Sequence, residues 1–157
     1  MQQTEKKLRH PLYYYAVIAR LTRYKPNQDR IAYLLRELAM MGVKTTQVYT
    51  DMPHSSGMSD STGDLASKIS DKKKLLVELQ NENELIDLAV GMLSEQKQLI
   101  VKTRYLTEYG QDKNARITLR ANARKYKWRT MHHGTYERLR DEAIMEVARM
   151  FGEQIEQ

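Results

Sequence analysis

Leu76-Val-Glu-Leu79-Gln-Asn-Glu-Asn83-Glu-Leu-Ile86-Asp-Leu-Ala-Val90-Gly-Met-Leu93-Ser-Glu-Gln-Lys97-Gln-Leu-Ile100 is the stretch on which the fold turns. Its numbered residues alternate spacings of three and four without a slip, which is the period of a helix with one packed seam. The seam carries a single Asn, and a buried Asn there costs stability while fixing register and strand number. Leu85, Leu88, Met92 and Leu99 form a second apolar set on a neighbouring face. The pattern predicts a long helix from Asp64 to about Glu108, or two helices with a break. Two uses of the seam stay open. It packs within the chain against the first helices, or Leu76, Leu79, Asn83, Ile86, Val90 and Leu93 join copies of the chain, a dimer being favoured.

Working outward, the same period recurs. Pro11 suits a first helical turn, and Leu12, Tyr15, Ala16, Ile18 and Ala19 follow it at helical spacing. Lys25-Pro26-Asn27 is expected to break that run. Ile31, Leu34, Leu35 and Leu38 then stripe a second helix, with Gly42 just past its end. Two short antiparallel helices are expected there. Residues 43–63 lose the period and become rich in Ser, Gly and Asp, the composition of an exposed loop or linker. A short strand near Val43 to Tyr49 is the only sheet the pattern allows. Beyond Gly110 a helix fits Ala115 to about Tyr126, Lys127-Trp128-Arg129 reads as a tight turn, and a last helix fits Thr130 to about Glu153. Tyr136, Leu139, Ala143, Val147, Met150 and Phe151 share one face of it, while Gly134 weakens it locally. The fold class is therefore all-α: an N-terminal helical hairpin and polar loop (1–63), a long central helix (64–109) and a C-terminal helix-turn-helix (110–157).

Composition limits function. The 157 residues contain no Cys, so disulfides, thiolate chemistry and Cys-based zinc sites are excluded. No apolar run approaches the roughly 20 residues of a membrane span. The opening Met1-Gln-Gln-Thr-Glu-Lys-Lys lacks the apolar core of a secretory signal, which predicts a cytoplasmic protein with no membrane partner. His132 and His133 are adjacent, so on a helix they cannot chelate one metal as an i, i+4 pair would. No glycine-rich phosphate loop, no Gly-x-Ser-x-Gly and no carboxylate pair on an apolar face is found. An enzyme is not expected, nor a cofactor or a metal.

Charge points to a partner. The chain carries a formal +6. Between Lys102 and Arg140 eleven Lys and Arg face three acids, so this stretch alone carries +8 and the remainder −2. Arg116, Arg120 and Arg124 lie four apart along one helix face and repel each other unless a polyanion neutralises them. A basic helix, a tight turn and an amphipathic helix opening with small polar residues is the plan of a helix-turn-helix. Arg116, Arg120, Arg124, Lys125, Lys127 and Arg129 are the phosphate-facing candidates. Thr130, His132, His133, Thr135, Glu137 and Arg138 are the groove-facing ones. Tyr136 and Leu139 should face a small core with Trp128 and Ala123.

Four stretches resemble the phage late-gene transcriptional activators of Gram-positive hosts, the ArpU and RinA group. They are Tyr49-Thr-Asp-Met-Pro with the polar run to Gly63; Leu65-Ala-Ser-Lys-Ile; Leu99-Ile-Val-Lys-Thr-Arg-Tyr-Leu; and Tyr136-Glu-Arg-Leu-Arg-Asp-Glu-Ala-Ile. The turn departs from that pattern. Asn122-Ala123, Tyr126, Lys127-Trp128 and Arg129-Thr130 must fill places where the family carries Ile-Ala, Leu, and a small residue with Ser, and a few extra residues are left between the flanks. The resemblance implies a C-terminal region similar to region 4 of sigma factors, binding to double-stranded DNA at a late promoter in the bacterial host cell, and contact with host RNA polymerase. Two other classes remain in view: a packaging protein of the small terminase kind, and a helical adaptor whose basic stripe meets an acidic protein.

Overall fold

A computed structural model describes residues 10–47, 61–107, 110–125 and 133–152. These residues form six helices and no strand: α1 (Leu12–Thr22), α2 (Tyr24–Gln47), α3 (Ser61–Gly91), α4 (Glu95–Tyr105), α5 (Asp112–Lys125) and α6 (His133–Met150). The all-α class holds. Two compact units divide the chain, one of Met1–Lys25 with Leu85–Gln157 and the other of Pro26–Glu84. The first is discontinuous, unlike the serial division 1–63, 64–109 and 110–157.

Several boundaries correct the sequence reading. Pro26 does not break a helix. Arg23 separates α1 from α2, its N–H donating to the Arg20 carbonyl at 3.2 Å. Pro26 then falls in the first turn of α2, where its missing N–H would have had no helical partner. Gly42 sits inside α2 rather than past its end, and residues 43–47 are helical rather than a strand. The remainder of the polar run, residues 48–60, lies outside the described residues.

The long central helix is two helices. α3 ends at Gly91, Met92–Ser94 interrupt it, and Ser94 resumes the chain in extended geometry as the N-cap of α4. Ending a helix leaves carbonyls without partners. Here the Gln98 side-chain amide donates to the carbonyls of Gly91 at 3.0 Å and Leu93 at 2.8 Å, satisfying two of them.

Within the discontinuous unit, Tyr14, Val17 and Leu21 of α1 bury against Ile86, Ala89 and Val90 of α3, Leu93, Val101 and Tyr105, and Ala143, Ile144, Val147 and Ala148 of α6. Of the two uses left open for the seam, packing within the chain accounts for Ile86, Val90 and Leu93, which are all core. The break redirects the rest, because Ile100 enters a second cluster and Lys97 pairs with Glu142 at 3.1 Å and Glu146 at 2.7 Å on α6. Tyr14 donates to Asp141 at 2.9 Å and Arg20 lies 4.0 Å over the Phe151 ring, so α1 and α6 run parallel.

In the other unit, α2 faces α3. Asn27 donates to Asn83 at 3.2 Å and Lys72 pairs with Glu37 at 2.8 Å, which sets the two helices antiparallel. Asn83 is buried, and its side chain meets Asn27 of the same chain. Leu76 and Leu79 are half-buried.

Candidate nucleic-acid interface

The second core cluster positions the basic residues. Ala115 and Leu119 lie four apart on α5 and bury against Ile100 of α4 and Tyr136 of α6, with Leu99 and Leu139 at the edge. Arg116 and Arg120 each follow a buried residue by one position, so they stand about 100° round the helix from that contact. His133 precedes Tyr136 by three residues and shares its side of α6. The result is a small open cleft lined by Arg116, Arg120 and His133, with Leu119 and Tyr136 as its apolar part. No acid lines it.

Close turns set the pitch of α5 against α4. Arg104 Nη1 donates to the Gly110 carbonyl at 2.6 Å. A Cβ at position 110 would collide with the Arg104 carbonyl, so only glycine fits this approach. Within α5, Thr118 and Asn122 donate to the carbonyls one turn back, of Asn114 and Thr118, at 2.9 Å each. Those polar side chains are thereby occupied by their own helix, while among the described residues Arg116 and Arg120 have no ion-pair partner.

On α6 the side chains divide. His133 Nδ1 lies 3.5 Å from Glu137 Oε2, and Arg138 Nε lies 3.7 Å from Glu142 Oε1 with its side chain 71% exposed. Thr135 is half-buried. Further along, Arg140 is tied to Asp141 by Nε at 3.1 Å and Nη2 at 3.0 Å. Burial works against its charge, but the adjacent Tyr14 and Asp141 hold the guanidinium above its ordinary range. Burial, with Tyr105 and the bond to Asp141, pushes the Tyr14 hydroxyl well above the usual phenol range. Arg140 therefore belongs to the scaffold.

Of the residues expected to meet DNA, the structure brings Arg116, Arg120 and His133 together. Arg124 and Lys125 close the C-terminal end of α5. Thr135 and Arg138 lie on α6 but do not line the cleft. Lys127, Arg129, Thr130 and His132, and the tight turn with Trp128, lie outside the described residues. Tyr136 and Leu139 face the small core as expected, whereas half-buried Ala123 is not part of it. One residue was not anticipated. Ile117 is 56% exposed on α5, between Lys113 and Arg120 on the same side. Its signal in the sequence is an apolar residue out of phase with Ala115 and Leu119.

Among the described residues no group of three His, Asp or Glu could hold a metal ion, and no helix is long and apolar enough to cross a membrane. Comparison with protein-family models, with curated proteins and with solved structures returns no match.

Proposed function

We propose that this chain is a sequence-specific double-stranded DNA-binding regulator of transcription, of the phage late-gene kind that its sequence resembles. The observation that carries the reading is the convergence of Arg116, Arg120 and His133 beside Tyr136, within the stretch that holds +8 of the chain's charge. A polyanion relieves that repulsion, and phosphates supply regularly spaced charge. α5 lies along the backbone, contributing position but no sequence information. Exposed Ile117 offers apolar contact to sugar or a thymine methyl. Thr135 and Arg138 on α6 are the described residues best placed to read base edges. The protein acts in the bacterial cytoplasm and meets host RNA polymerase at the promoter.

The test is duplex binding over a salt series. Log K should fall with log salt by roughly 0.9 per phosphate contacted. Arg124→Ala should weaken selected and random duplexes alike and flatten that slope by about one unit. Thr135→Ala or Arg138→Ala should cost roughly 1–3 kcal/mol on the selected site and far less on random DNA. No duplex binding at low salt would overturn the reading.

A further inference from the structure

We infer that the cleft between α5 and α6 is a discrete site for one phosphoryl group, held by Arg116, Arg120 and His133 together. The inference rests on the DNA-binding reading and changes the job of His133 within it, from reading a base edge to holding a phosphate.

The geometry supports this in three ways. Arg116 and Arg120 are one turn apart, a spacing of about 5–6 Å between Cβ atoms that lets two guanidiniums reach the same tetrahedral anion. His133 approaches from the other helix, so donors converge from two elements instead of lying along one solvated face. His133 Nδ1 lies 3.5 Å from Glu137 Oε2, so the imidazole keeps its second nitrogen for another partner. Leu119 and Tyr136 form the apolar part, and charge-assisted hydrogen bonds strengthen where water is partly displaced.

The probe is sulfate, which has the tetrahedral shape of a phosphoryl group. The full chain is followed by the imidazole Cε1–H resonances in solution NMR. The site requires a saturable shift of the His133 resonance, with affinity reduced roughly tenfold or more in Arg120→Gln, the loss of one charge-assisted hydrogen bond. Shifts that are non-saturable, or equal at all four histidines, would overturn it. A duplex series runs alongside on wild type and His133→Gln. If sulfate fills the cleft and no duplex binds, the site stands and the DNA reading falls. If duplexes bind with equal strength and salt slope in both proteins, the DNA reading stands and the site falls.

Discussion

The two compact units are built differently although helices α2 and α3 run through both. In the discontinuous unit thirteen buried residues form one cluster around Val17, Ile86 and Ile144, although Leu12, Leu88 and Met92 at its surface stay exposed. In the unit of Pro26–Glu84, Leu34 is the buried hydrophobic residue among those described, while Tyr33, Leu35, Met40, Leu75 and Val77 are exposed. Asn27–Asn83 and Lys72–Glu37 are the polar links between its two helices, and one Glu37 carboxylate oxygen is buried without a hydrogen-bond partner. Helical period alone does not say how well a helix is packed. Stability follows buried area, so the first unit should be the last part of the molecule to open and the second the first.

The largest expected effect is in the shared core. Val147→Asp places an unpaired charge at a fully buried position of α6 and should abolish cooperative unfolding of the discontinuous unit, read by thermal melting. Leu21→Ala, on the opposite wall of the same core, should cost about 2–5 kcal/mol in a denaturant melt. Near-zero cost would mean that α1 is not part of that core. Tyr14→Phe should cost about 1 kcal/mol by removing the bond to Asp141. It also carries a pH signature. The folded Tyr14 hydroxyl titrates above its ordinary 10.0, so its contribution is full below that pH and is lost as pH rises through the folded value. The wild-type stability should therefore fall above about pH 10 more steeply than that of Tyr14→Phe. The smallest effect belongs to the other unit: Leu35→Glu should change stability by no more than about 0.5 kcal/mol. A cost of several kcal/mol there would show that the contrast between the units is false.

What was legible in the sequence was the period. The spacing of Tyr136, Ala143 and Val147 identified the buried face of α6, and Leu34 was found within its stripe. What was not legible depended on partners far away in the chain. The seam at Leu76–Ile100 runs straight through the break at Met92–Ser94, because the break is held by the Gln98 side chain and no Pro marks it. That α1 packs on α6 is decided by residues more than a hundred positions apart, such as Tyr14 and Asp141, which no local period reports. The charge census found the basic end, but the meeting of His133 with Arg116 and Arg120 required the Leu119–Tyr136 contact that joins the two helices.

The central claim is that the basic end of this protein is not a separate C-terminal domain but is closed by helix α1 from the other end of the chain. Native-state hydrogen exchange on a chain that begins at Tyr24, compared with the full chain, tests it most directly. Without α1, the amides of Ile144, Val147 and Ala148 should lose most of their protection, because Tyr14, Val17 and Leu21 no longer cover that side of α6. Unchanged protection across α6 in the shortened chain would contradict the account.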